Sequence, residues 1–359
     1  MKIQLKPADE CRFDILSLGE VMLRLDPGEE RIRRARTFRV WEGGGEYNVA
    51  RGLKRCFGQR ATAVAGVVKN DIGYLLEDLI LQGGVDTSLL KWFEFDGIGY
   101  ESRNALNFTE RGFGIRGAIG CSDRGHSATA KIKPGDIDWD YIFGTLGVRW
   151  LHTGGIYSAL SEEAFSVTLE AVKAAKRHGT VVSYDLNYRA SLWKTRGGLE
   201  GCYAANQTLA DYVDVIIGFP GLLGISDPDC NKTVLGAEEF KRIILKTVER
   251  FPNLKACAST IRVETTASTN DWSAISWYNN EFYQSLSLAN LEVLDRVGGG
   301  DSFAAGYIYG MMVEEDCQKA VDYGIAHGAL AMTTPGDNSM ASLDEVERVI
   351  AGNSSVTER

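Results

Sequence analysis

Histidine is scarce in this sequence, four residues in 359, and His126, His152, His178 and His327 fall in no HExxH or related spacing. That removes the zinc-hydrolase readings and leaves them as structural or surface residues. The seven cysteines are odd in number, scattered and without a CxxC pair. They fit neither a disulfide framework nor a zinc site, and a reducing cytoplasm is the expected compartment. No apolar run approaches a membrane span, and the opening MKIQLKPADECRFDIL has no apolar core of signal-peptide length. Positive charge is in deficit: 39 Lys and Arg against 48 Asp and Glu, net −9. A nucleic-acid or anionic-membrane binder needs the opposite balance. The local exception, RIRRARTFR (Arg31–Arg39), reads as a solvated basic loop, with a substrate- or subunit-facing role as the alternative. The Walker pattern GxxxxGK[ST] is missing, and no GxGxxG follows the first strand pattern, which excludes P-loop and dinucleotide sites.

What is present is strand–helix alternation. FDILSLGEVMLRL, ATAVAGVV, VRWLHTGG, TVVSYDLN, DVIIG and LKACAST read as strands. Between them, residues 46–58, 71–84, 161–179 and 237–251 have helical spacing. The clearest helix begins at Ser161 as N-cap, carries Glu162 and Glu163 at its start and Lys176 to His178 at its end, and stops at Gly179. DWSAISWYNNEFYQ predicts a hairpin turning at Asn279–Asn280. Helices from Ser302, over 318–333 and over 342–352 close the chain. The glycine-rich, polar stretch from Tyr100 to Lys133 breaks the rhythm and predicts a β excursion, joined by residues near 20–42. The expected fold is α/β: one domain over 1–359, a mostly parallel sheet covered by helices on both faces, with a small β layer from roughly 20–42 and 97–133. Ligands in such sheets sit at the carboxyl ends of the strands, where Gly154, Gly155, Asp185, Asn187, Gly218 and Thr260 gather.

LDRVGGGDSFAAG (Leu294–Gly306) sets three glycines before an acid at the start of a helical pattern. Glycines entering a helix leave backbone N–H groups free for an anion. Asp301 beside such a site makes sense as a base that takes a proton from a hydroxyl while Gly298, Gly299 and Gly300 hold a transferring phosphoryl group. The alternative is a capping acid after a tight turn.

These segments resemble the ribokinase-like (PfkB) carbohydrate kinases. DRVGGGDSFAAG is similar to their C-terminal signature DTxGAGDxFxxG, and WEGGGEYNVARGL (Trp41–Leu53) to their N-terminal glycine motif. SYDLNYRASLW (Ser183–Trp193) resembles a segment of the sugar-acid kinases, and SDRGHSA (Ser122–Ala128) one of the 2-keto-3-deoxygluconate kinases. The resemblance implies a Rossmann-like body with a small β lid and ATP- and Mg²⁺-dependent phosphorylation of a sugar hydroxymethyl group. The expected acceptor is 2-keto-3-deoxygluconate. It implies Asp301 as base, Gly298–Gly300 as anion hole, and Gly44, Gly45 and Asn48 on the sugar. Arg124 and Arg189 would face the substrate carboxylate, which guanidinium forks hold well; a surface or interstrand ion pair is the alternative for each. Asn187, Thr260, Gly300 and Asn338 are expected on the nucleotide, Asn338 within a segment lining the adenine side. A homodimer through the lid is implied. Fructokinase, or a catalytically impaired sugar- or nucleotide-binding homologue, is the other reading.

Three segments depart from the family pattern. FPGL (Phe219–Leu222) stands where an Asn-x-x-Glu motif linked to Mg²⁺ is usual, with Asp227 or Asp229 as possible substitutes. Arg296 replaces the usual Thr after Asp295. TIRVETTAST (Thr260–Thr269) replaces a glycine-rich segment of the adenine loop.

Overall fold

The computed structural model describes residues 2–225 and 236–353. A nine-stranded sheet forms its centre. From one edge the strands run Ala61–Val64, Phe13–Leu18, Val148–Gly154, Val181–Asp185, Val215–Ile217, Ala256–Thr266, Thr269–Tyr278 and Glu281–Gln284, and Leu288–Glu292 also pairs with Thr269–Tyr278. The first six are parallel; the last pairings are antiparallel. Successive residues of the parallel strands feed two separate apolar cores. Ile15, Trp150, Val181 and Val215 face one core with Phe303, Tyr307 and Ile325. Leu16, Leu151, Val182 and Ile216 face the other with Val167, Phe240 and Ile244. Burial on both faces is why these strands read as continuous apolar runs rather than alternating ones. The fold is thus the expected mixed α/β one.

The local signals act as the sequence suggests. Ser161 Oγ accepts from the Ala164 N–H at 3.0 Å and caps the helix Glu162–Arg177. Asn279 and Asn280 turn the hairpin at φ 51° and 67°, the conformation a two-residue hairpin requires and asparagine tolerates. Two readings change. The run from Ala61 to Val68 breaks at Ala65: Ala61–Val64 stays in the main sheet while Gly66–Val68 pairs with Lys91–Phe93. The strand read as ending at Thr260 runs on from Ala256 to Thr266 and then turns into the strand Thr269–Tyr278.

A second sheet of four strands, ordered Arg39–Gly43, Met22–Asp26, Leu106–Glu110 and Ile119–Asp123, lies beside the first. The chain leaves Phe13–Leu18 for this sheet and returns to the main one at Ala61. It later re-enters on the opposite side of Phe13–Leu18, at Val148. That reversal of direction is where open α/β sheets leave a crevice. Among the described residues, no helix is long and apolar enough to cross a membrane.

The helix Gly299–Tyr309 points its N-terminus at this crevice. It packs on Cys317–Ala331 with unusually close backbones: a Cβ on Gly306 would sit 2.5 Å from the Tyr323 carbonyl oxygen. The contact has no room for even one methyl group, so it fixes the height of the helix start.

Candidate functional site

A cavity of about 770 Å³ opens between the two sheets at the carboxyl ends of the parallel strands. Asp301 lies at its floor, in the first turn of the Gly299 helix. Its Oδ2 accepts from Asn48 Nδ2 at 2.7 Å. Asn48 sits on the helix Gly45–Arg55, and its own Oδ1 is buried with no partner among the described residues. Burial pushes the Asp301 carboxyl up to about 8 against the Asn48 hydrogen bond, and the negative fields of Asp185, Asp337 and Glu46 push the same way. A carboxyl so placed has the high basicity that general-base work at neutral pH calls for.

The three glycines do different things. Gly298 is the N-cap, at φ 80°, and a Cβ there would overlap the Asp337 carbonyl oxygen. Gly299 faces inward, where Met332 would lie 3.0 Å from its Cβ, and it does not reach the cavity. Gly300 lines the cavity and has nothing within 4 Å of a Cβ. Open backbone at a helix start leaves N–H donors without intrahelical partners, an arrangement suited to an anion. Gly44 and Gly45 also line the cavity, and a Cβ on Gly45 would be 3.7 Å from Asp301 Oδ1 and 4.0 Å from Asn187 Nδ2.

The structure brings Arg124, Arg189, Asn187 and Thr260 to the same cavity. Arg189 is exposed; its Nη1 donates to the Tyr188 carbonyl at 3.2 Å, and its positive charge acts on Asp185. Arg124 is held by Glu20, with Nη2 2.7 Å from Oε2, and Glu20 in turn accepts from the Ser127 hydroxyl. The ion-pair alternative is thus realised for Arg124, although Arg124 still lines the cavity. Asn338 is a correction. Its side chain is buried behind the site, its amide donating to the Glu42 carbonyl at 2.8 Å, and it is not among the residues lining the cavity. The Phe219–Leu222 segment forms a short turn whose Phe219 and Leu222 side chains bring no carboxylate to the wall. Asp227 and Asp229 lie outside the described residues. Among the described residues, no cluster of three His, Cys, Asp or Glu is arranged to hold a metal ion.

Two features escaped sequence reasoning. Arg24, on the second sheet, is fully buried: Nη2 lies 2.5 Å from Asp295 Oδ2 and Nη1 2.6 Å from Asp337 Oδ1. Asp26 and Arg111 complete the cluster, with Arg111 Nη2 2.7 Å from Asp26 Oδ2. A lone arginine in the apolar run MLRL was the available signal. Glu46 is buried beneath the cavity, accepts from the Tyr157 N–H at 3.2 Å, and is pushed up to about 7 by burial.

Residues 252–344, which contain the glycines and Asp301, match the profile described as pfkB family carbohydrate kinase. The crystal structure of 2-dehydro-3-deoxygluconokinase from Thermotoga maritima superposes with a TM-score of 0.85 at 32% identity, covering 94% of this chain and 99% of that one. The chain belongs to the pfkB family of carbohydrate kinases. This kinase is also 26% identical to 2-dehydro-3-deoxygalactonokinase from Haloferax volcanii, over 96% of its own length and 99% of the relative. It is 27% identical to 5-dehydro-2-deoxygluconokinase from Geobacillus thermodenitrificans, over 97% of its own length and 96% of the relative.

Proposed function

We propose that this kinase transfers the γ-phosphoryl group of ATP to the terminal hydroxyl of a 2-keto-3-deoxy sugar acid, with 2-keto-3-deoxygluconate and formation of its 6-phosphate as the leading case. The observation that carries the reading is Arg189, an exposed guanidinium with no salt bridge among the described residues, on the cavity that holds the Asn48–Asp301 pair. A neutral sugar gives that charge nothing to meet, whereas a carboxylate pairs with it. Of the three relatives named above, two are kinases of 2-keto-3-deoxy sugar acids and one of a 5-keto-2-deoxy acid, which supports a keto-deoxy sugar acid as acceptor.

Asp301 takes the proton of the acceptor hydroxyl as the new O–P bond forms and the bond to the ADP oxygen breaks. Asn48 orients that carboxylate, and its unpartnered Oδ1 suits a second hydroxyl of the sugar. The backbone N–H groups at Gly298 and Gly300 face the charge that develops on the phosphoryl oxygens. Gly44 and Gly45 let the sugar approach the floor of the cavity. Asn187 and Thr260 border the nucleotide side. The residues present fit Mg²⁺ sparingly. Magnesium keeps most of its waters and needs one or two carboxylates besides phosphates. Asp185, which lines the cavity and accepts from the Asn187 N–H at 3.0 Å, is the acid left to face it. When bound, MgATP supplies the phosphoryl group and neutralises its charge.

The second sheet acts in this reading as a lid over the cavity, formed by residues near 20–42 and 97–133, which excludes water during transfer. Its exposed Val40, Phe113, Ile115 and Ile119 suit pairing with a second copy; light scattering reads the resulting mass.

ADP release with MgATP against 2-keto-3-deoxygluconate, 2-keto-3-deoxygalactonate, a 5-keto-2-deoxy acid, fructose and ribose tests the reading. Turnover confined to keto acids and abolished by Asp301→Asn supports it. Turnover on fructose alone makes the chain a fructokinase. Sugar binding without turnover makes it a binding protein.

A further inference from the structure

Two of the departures noted in the sequence meet in space. Arg262 stands on the strand Ala256–Thr266, and Arg296 lies two residues before Gly298. Both line the cavity. Both are held by one carboxylate: Glu264 Oε1 lies 2.7 Å from Arg262 Nη2 and 3.3 Å from Arg296 Nη1. Neither arginine has another salt bridge among the described residues. Two guanidiniums against one carboxylate leave a net positive charge on this wall. The other nearby acids are spoken for, since Asp295 and Asp337 are bound to Arg24. Half-burial raises the cost of the imbalance: burial and the positive charge of Arg296 both lower the proton affinity of Arg262. Both guanidiniums are partly open to the cavity and keep N–H donors that an anion there can meet.

We propose that Arg262 and Arg296, spaced by Glu264, form a clamp for the β- and γ-phosphates of the nucleotide, beside the Gly298–Gly300 backbone. The position separates this pair from Arg124 and Arg189, which come from the second sheet's side and from the end of Val181–Asp185. The clamp lies on the same cavity as Phe219 and Leu222, which offer no carboxylate to anchor a metal. Here fixed cations supply charge neutralisation that a metal-anchoring acid serves elsewhere. The planar guanidinium forks match phosphate oxygens in pairs. The inference rests on the reading that ATP is the donor.

Isothermal titration calorimetry with ATP, ADP and AMP tests it, on the wild type, Arg262→Gln/Arg296→Gln and Glu264→Gln. The expected result is a ten- to hundredfold weaker ATP affinity in the double variant. AMP binding, the keto-acid KM and Tm should stay close to wild type. Glu264→Gln, which removes the competing carboxylate, should keep or tighten ATP. An unchanged ATP affinity in a folded double variant overturns the clamp while leaving the donor intact. So does an equal loss of ATP and AMP, or a Glu264→Gln variant that loses ATP as severely, because the trio then only shapes the hairpin. A wild type that binds no ATP overturns the donor reading as well. If the double variant fails to fold, Arg296→Thr, at a half-exposed position, carries the same comparison.

Discussion

Asn48 and Asp301 stand 253 residues apart in sequence and 2.7 Å apart in space, the amide donating to the carboxylate. This is the one side-chain hydrogen bond opposing the burial that holds the Asp301 proton on. Removing it as Asn48→Ala should move the Asp301 ionisation further up, so the rising limb of kcat/KM against pH shifts to the alkaline side. An unshifted limb with only a lower plateau would show that Asn48 serves substrate binding alone.

Burial pushes the Asp301 carboxyl up to about 8, and in the proposed reaction the base must be ionised to act. The kcat/KM of the free enzyme therefore rises about tenfold per pH unit below that value and levels above it. A profile already flat at pH 6 would remove Asp301 as the titrating base.

The same shift has a stability consequence. The folded state holds the Asp301 proton more tightly than the unfolded chain does. Its stabilising contribution is complete below the ordinary carboxylate range and is lost as pH rises from there through about 8. Asp301→Asn, which cannot ionise, should abolish turnover and melt higher than wild type, by about 2 °C for each ~1 kcal/mol recovered. The gap should widen between pH 5 and pH 8.5. A lower Tm for the variant at pH 8.5 would contradict this account.

Arg189→Ala should raise the keto-acid KM at least tenfold, ~1.4 kcal/mol, and leave Tm close to wild type, because Arg189 is exposed and has no salt bridge among the described residues. Arg124→Ala should also lower Tm, since it strands the buried Glu20. Steady-state kinetics with melting curves separate the two.

Arg24→Met should cost about 3–5 kcal/mol, the usual penalty for leaving a buried acid unpaired: it strands Asp337 and leaves Asp295 only Arg111, at 3.6 Å. Chemical denaturation measures the loss; a change under ~1 kcal/mol would mean the acids are neutral or hydrated.

Much of this was legible from the sequence because it is local. Ser161 capping, the Asn279–Asn280 turn and the doubly apolar strands each follow from a few adjacent residues. The Gly298–Asp301 segment was legible for the same reason. What stayed hidden is long-range. Nothing near Arg24 in the chain announces Asp295 or Asp337, which lie 271 and 313 residues away. Asn338 was misplaced because a polar residue after a helix looks alike whether it faces a cavity or, as it does, a buried carbonyl. Arg296 and the segment after Thr260 looked like two independent departures; Arg262 and Glu264 lie two residues apart on one strand, and only the fold brings Arg296, 32 residues on, to the same carboxylate.

The Arg24 cluster also has a mechanical side. Arg24 belongs to Met22–Asp26, an inner strand of the second sheet, while the acids it grips belong to the segments that brace the Gly298 turn. Pulling that strand away would tear a buried cation from two anions, so it is bolted to the catalytic floor. The strand Ile119–Asp123 is exposed along its whole length and carries no such bolt. If the second sheet opens for sugar and nucleotide as proposed, Ile119–Asp123 is the strand left free to swing, and Met22–Asp26 is the fixed rail. The Gly298 turn, braced from that rail, would then keep its shape with the shutter open or shut.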